Sequence, residues 1–165
     1  MPRFTTLSRT GVDPQRTFAF IVDLSTWSSF PGYGPLPGIV RASIDGDVRD
    51  AGSPVALGSR IRVENTDRSV HHEVITAFEP GRLLHISMEP GPPASYLMRN
   101  IDERVEMSPL PDGGTSLRRT FTVTARSWLT APIAWLICKL LLQRAVRRHN
   151  RIVERRLDQS SSTVP

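Results

Sequence analysis

The sequence predicts an α+β fold, an antiparallel meander covered by one long C-terminal helix, on three observations. Between Ile39 and Thr124, strand-like segments follow one another at short spacing and are broken by turn clusters. From Ala131 to about Leu157 the apolar period changes from two residues to 3.6, the period of a helix. The length of 165 residues accommodates one domain and leaves nothing for a second.

Taken in order, Arg3–Ser8 is a short strand. Val12–Leu24 carries Val12, Phe18, Phe20, Ile21 and Leu24 behind Asp13-Pro14, which marks a short helix opening at Asp13. Thr26–Phe30 adds one more turn. Phe30-Pro31-Gly32-Tyr33-Gly34-Pro35-Leu36-Pro37-Gly38 holds three Pro and three Gly in nine residues, so neither regular element can form there. The strands that follow are Ile39–Ile44, Ser59–Asn65, Ser69–Phe78, Arg82–Met88, Tyr96–Met107 and Thr115–Thr124. Glu79-Pro80-Gly81 and Pro111-Asp112-Gly113-Gly114 read as hairpin turns in which glycine supplies a positive φ. In the last helix, opened by Pro132, a stripe of Trp135, Cys138, Leu142, Ala145, Val146, His149, Ile152, Val153 and Leu157 should cover the sheet. The opposite face carries Ile133, Leu136, Ile137 and Leu140, then Arg144, Arg147, Arg148, Arg151 and Arg155. The domain is expected to span 1–158, with 159–165 a disordered tail.

The formal net charge of +5 is local. Lys139–Arg156 holds seven basic residues against one acid, and the remainder carries fourteen basic and fifteen acidic residues. Without a DNA-binding motif or interleaved aromatics, that distribution disfavours nucleic acid. One cysteine excludes an internal disulfide or a cysteine-built zinc site, and no His/Asp/Glu group has zinc-motif spacing. Neither a metal nor a cofactor is therefore expected. The first residues lack a secretory h-region and no apolar run reaches about 18 residues, so the expected compartment is the cytoplasm.

Val12-Asp13-Pro14 leading to Phe18 and Phe20, Asp23 followed by Trp27 and Phe30, Gly58-Ser59-Arg60, Val74 to Leu83 and Gly113-Gly114-Thr115 with Leu117 together carry a resemblance. The chain resembles the START-like or birch-pollen-allergen-like (SRPBCC) superfamily, particularly its bacterial polyketide cyclase/dehydratase-like members. The resemblance covers roughly residues 3 to 157. It implies a helix-grip fold: a curved antiparallel sheet of six or seven strands wrapped around the long C-terminal helix, two short helices after the first strand, and a cavity between sheet and helix. It does not name a reaction.

Within that frame the inward-facing residues are the candidates. If Glu73 faces water, Val70, His72, Val74 and Phe78 face the helix, and His72 lines the cavity. On the last two strands Leu97, Ile101, Val105 and Met107, with Leu117, Phe121 and Val123, select an inward face that Arg99, Glu103 and Arg119 share. Charges there are costly unless paired or wet, so they mark a polar spot in an apolar pocket, a mutual ion pair at its rim, or a one-residue register slip that turns them outward. His149 on the helix stripe is either a satisfied core histidine or a donor to a ligand carbonyl. Trp27, Phe30 and Tyr33 flank the Pro/Gly loop beside the expected cavity mouth, as core anchors or as a lid over a flat ligand. Ile101, Phe121 and Leu142 complete the expected ligand-binding set. Cys138 reads as a buried small hydrophobe.

Three functions fit. The leading one is binding of a small hydrophobic molecule, lipid, isoprenoid or polyketide-like, in the cavity. The second is a cyclase/dehydratase-like enzyme without metal, with His72 or His149 moving protons and Arg99 or Arg119 stabilising an enolate. The third is a membrane-surface lipid carrier: Ile133, Leu136 and Leu140 followed by arginines suit an anionic membrane, a homodimer contact or, more simply, a solvated face.

Overall fold

Alternating side chains build a seven-stranded antiparallel sheet. In a computed structural model of the protein, which describes residues 1–45 and 55–161, the strands are β1 (Arg3–Thr10), β2 (Ile39–Ile44), β3 (Arg60–Asn65), β4 (Val70–Glu79), β5 (Leu83–Glu89), β6 (Met98–Pro109) and β7 (Thr115–Ala125). Their order across the sheet is β1-β7-β6-β5-β4-β3-β2, so β2 to β7 form the meander and β1 pairs with β7 at the far edge. Gly81 and Gly113 have φ of 71° and 85° in the two turns where glycine was expected. The first helix, α1 (Pro14–Val22), is capped by the Asp13 carboxylate, which accepts from the amides of Gln15 and Arg16. A 3₁₀ helix, Leu24–Ser29, is capped in the same way by Asp23. These short helices carry the chain from β1 at one edge to β2 at the other.

The C-terminal helix runs as α2 (Ala131–Ile137), a π segment (Cys138–Leu142) and α3 (Gln143–Ser161). It reaches Ser161, into the segment expected to be a disordered tail. Residues 162–165 of that tail lie outside the described residues. The sheet and this helix make the helix-grip fold. One core cluster lies beneath the N-terminal helices, with Phe18 against Ile61, Val63, Ile75, Leu84 and Val105. A second lies beneath α2, where Phe4 stacks on Phe121 at 5.0 Å and Val123, Ala134, Cys138 and Val146 close around them. Full burial of such aliphatic side chains contributes roughly 1.5–3 kcal/mol each.

Three insertions of one residue shift side chains from their expected faces. The β4–β5 register slips between Ile75 and Ala77, leaving an extra residue at Thr76. Phe78 therefore faces inward together with Ile75, Glu73 and His71, whereas His72 faces outward and meets Asp45 at 3.4 Å. The β6–β7 register slips between Met98 and Asn100, so Met98 is buried and Arg99 is exposed. In the helix, the wider π turn offsets the stripe, so Ala134 is buried where Trp135 was expected and Trp135 is half exposed. The expectations for His72, Arg99 and Trp135 are corrected accordingly.

Candidate functional site

The inward faces of β3 to β7, the 3₁₀ helix and the C-terminal helix enclose a cavity of about 360 Å³. Its walls are mostly apolar: Ile101, Val105, Leu117 and Phe121 from the long strands, Ile137, Leu141, Leu142 and Val153 from the helix, Trp27 and Phe30 from the 3₁₀ helix and its end. The loop ends at one end of the sheet add Pro35 to Pro37, Asp67 and Pro90 to Pro93. Asp67 is exposed, so the cavity reaches solvent beside it. The 90–93 loop approaches β4 closely because residue 91 is glycine; a Cβ there would collide with the Val70 carbonyl.

Of the residues the sequence singled out, Trp27, Phe30, Ile101, Glu103, Arg119, Phe121, Leu142 and His149 line this cavity. Trp27 is also anchored, its indole N–H donating to the Ile21 carbonyl at 2.9 Å. Tyr33, His72 and Arg99 do not line the cavity. The Tyr33 ring instead lies under the Arg144 guanidinium, 5.8 Å away. Cys138 is fully buried, and burial raises its thiol pKa to about 11, so it is no nucleophile.

Two polar groups interrupt the apolar wall. In the first, Arg119 Nε donates to Glu103 Oε1 at 2.6 Å, and its Nη1 donates to Asn150 Oδ1 at 2.9 Å and to His149 Nδ1 at 3.1 Å. Asn150 passes the network on to Thr6 Oγ1, and His149 Nε2 meets Ser29 Oγ at 3.1 Å. Arg119 thus balances the buried Glu103 charge and stitches β6, β7 and the helix together. Burial and the adjacent Arg119 charge push the His149 pKa down to about 3. With Nδ1 accepting and Nε2 engaged, His149 is the satisfied core histidine and not a group poised for proton transfer near neutral pH.

The second polar group escaped the sequence reading, because the Thr76 bulge turned attention to the wrong face of β4. Its members are Asn65, Asp67, Ser69, His71 and Glu73, all of which line the cavity. Ser69 Oγ donates to Asp67 Oδ1 at 2.6 Å, which helps to hold the Asp67 carboxyl below its ordinary pKa. Since that bond consumes the only hydroxyl proton, Ser69 Oγ accepts from Asn65 Nδ2 at 3.0 Å. Asn65 Nδ2 also donates to His71 Nδ1 at 3.0 Å, which leaves the imidazole proton on Nε2, 3.0 Å from Glu73 Oε1. Glu73 is 4% exposed. A hint was present in the sequence: a Glu between Val and His on a strand is costly if it faces inward, and a carboxylate held in a cavity wall despite that cost is a candidate site residue.

Comparison with known proteins follows the same outline. The family model described as "Polyketide cyclase / dehydrase and lipid transport" matches residues 1–158. No curated protein matches the chain. Among solved structures, the Zhui aromatase/cyclase from Streptomyces sp. R1128 superposes with a TM-score of 0.71 at 12% identity, covering 95% of this chain and 93% of that one. A START superfamily protein from Mycobacterium smegmatis superposes at 0.68 and 13% identity, covering 95% and 97%. At such identities the likeness establishes the fold alone.

Proposed function

The chain belongs to the polyketide cyclase/dehydrase and lipid transport family, an SRPBCC member of START-like fold, and from that premise we propose that it binds one small, mainly apolar molecule in the sheet–helix cavity. The observation that carries this reading is a mainly apolar cavity of about 360 Å³ between the sheet and the C-terminal helix. That is the size and character of small-molecule sites. Of the histidines the sequence offered for proton transfer, His72 lies outside the cavity and His149 has both nitrogens bonded, so the catalytic reading loses those two candidates while binding needs neither. The reading places the protein in the cytoplasm, which a lone, buried, free Cys138 suits. A thermal screen of fatty acids, isoprenoids and aromatic polyketides tests it. A ligand at a hundredfold excess over its Kd adds about 2.7 kcal/mol of stability. At least one class is expected to raise the Tm, and no shift from any class contradicts the reading.

A second reading, delivery at an anionic membrane surface, is favoured by the outer side of the C-terminal helix. Ile133, Leu136 and Leu140 are exposed there, and in the turn just before the helix Trp128 and Leu129 are exposed at 82% and 65%. Arg144, Arg147, Arg148, Arg151 and Arg155 continue the surface, all exposed. Among the described residues no helix is long and apolar enough to cross a membrane, so contact would be peripheral. Each arginine near anionic lipid adds about 1 kcal/mol, within a screening length of about 8 Å at physiological salt. Co-sedimentation is expected with phosphatidylserine liposomes at low salt and not with phosphatidylcholine liposomes. Equal, weak binding to both, combined with a dimer that Leu136→Glu dissociates, assigns the patch to a homodimer instead.

A further inference from the structure

We propose that Glu73 is the polar anchor of the cavity and that the ligand it selects is an apolar molecule bearing an alcoholic or phenolic hydroxyl. This rests on the reading of the cavity as a ligand site. A carboxylate at 4% exposure in an apolar wall is costly unless it is compensated. Glu103, on the same wall, is compensated by Arg119. Among the described residues Glu73 meets a single donor, the Nε2–H of His71, on a single oxygen. Its other oxygen makes no bond to any described residue, yet no buried side-chain oxygen among the described residues is without a partner, so that atom is open to the cavity. A donor brought by a ligand is the group it lacks.

The track from Asp67 to Glu73 fixes this polarity. Asp67, Ser69 and Asn65 dictate in turn that His71 Nδ1 accepts and that Nε2 gives its proton to Glu73. Because an amide stands in the track, it cannot pass a proton from solvent to Glu73. It holds an orientation, and His71 is a positioning residue. An acceptor-only ligand group, such as an ether or an ester, would face a lone pair; a hydroxyl would form a charge-assisted hydrogen bond.

The test uses three alcohol and methyl-ether pairs on the intact protein: 1-hydroxypyrene and 1-methoxypyrene, 2-naphthol and 2-methoxynaphthalene, 1-dodecanol and its methyl ether. For the pairs that bind, the alcohol is expected to be about tenfold tighter. In Glu73→Gln, Oε1 accepts from His71 and the amide NH₂ faces the cavity. The preference then falls to about one. Glu73→Leu, checked for folding by its melting curve, removes the preference as well. His71→Phe lowers the ratio, and His71→Gln, which retains an N–H, restores part of it. Equal affinities within every bound pair, or a preference that persists in both Glu73 variants, overturns the anchor and leaves the cavity reading standing. If the wild type binds none of the six while the thermal screen yields a ligand, the anchor falls and the cavity reading stands; if the screen yields none either, both fall.

Discussion

Glu103 and Glu73 line the same cavity, and the protein holds them in opposite ways. Glu103 lies 2.6 Å from the Arg119 guanidinium, which is itself tied to Asn150 and His149 on the helix. Glu73 is more deeply buried but, among the described residues, meets only an imidazole N–H, at the end of a track whose other members hold one another. The first group is arranged to balance charge and join elements. The second is arranged to aim a side chain. Two carboxylates that look alike in the sequence thus differ in what completes them, the protein's own cation in one case and an incoming molecule in the other.

That contrast breaks down or sharpens under substitution. Arg119→Met leaves the half-buried Glu103 charge uncompensated and strips partners from Asn150 and His149. A loss of about 3–5 kcal/mol is expected, seen as a fall of roughly 10 °C in Tm. Should Arg119→Met melt within a degree or two of the wild type, the network is not structural.

Acid titration gives the next largest effect. His149 has a folded pKa depressed to about 3 against an ordinary 6.5. The unfolded chain therefore binds the proton first. The stability this group contributes is present in full above pH 6.5 and is lost as pH falls from there toward 3, by up to about 1.4 kcal/mol per pH unit. In urea melts across pH 4 to 7, His149→Gln should have a shallower slope than the wild type, and an unchanged slope contradicts the assignment.

Removing both members of the ion pair, in Glu103→Leu with Arg119→Met, should cost about 2 kcal/mol less than Arg119→Met alone, because no orphaned charge remains. A double variant as unstable as the sum of the singles shows that the two side chains act separately. Smallest of all is the effect of Glu73→Gln on stability, expected within about 1 kcal/mol of the wild type, since His71 retains its acceptor. A large destabilisation would put Glu73 in the same structural class as Glu103.

Much of the fold was legible from local signals. The strand and helix bounds follow from turn residues and from Asp13-Pro14 and Asp23, whose caps and glycine φ values are local chemistry. The ion-paired half of the site was legible too, since Glu103 and Arg119 sit on strands whose alternation is unbroken between them and the core positions Ile101 and Phe121. The rest was hidden by period breaks. A bulge at Thr76, a bulge at Arg99 and the π segment at Cys138–Leu142 each insert one residue, and no side-chain preference announces such an insertion. Counting in twos across the first moved His72 inside and left Glu73 out. Counting across the second moved Arg99 inside, and counting in 3.6 across the third buried Trp135. Tyr33 was misplaced for a different reason, since its partner, Arg144, is distant in sequence.

The claim on which all of this depends is that the cavity takes up a ligand, and methyl NMR on the tightest binder of the thermal screen tests it most directly. Ile101, Leu117, Leu142 and Val153 line the cavity, whereas Leu7 and Leu129 are exposed on the surface. Saturable shifts of the four lining residues, with Leu7 and Leu129 unmoved, are the predicted result. Shifts confined to surface methyls, with the lining residues unchanged at saturation, would contradict it.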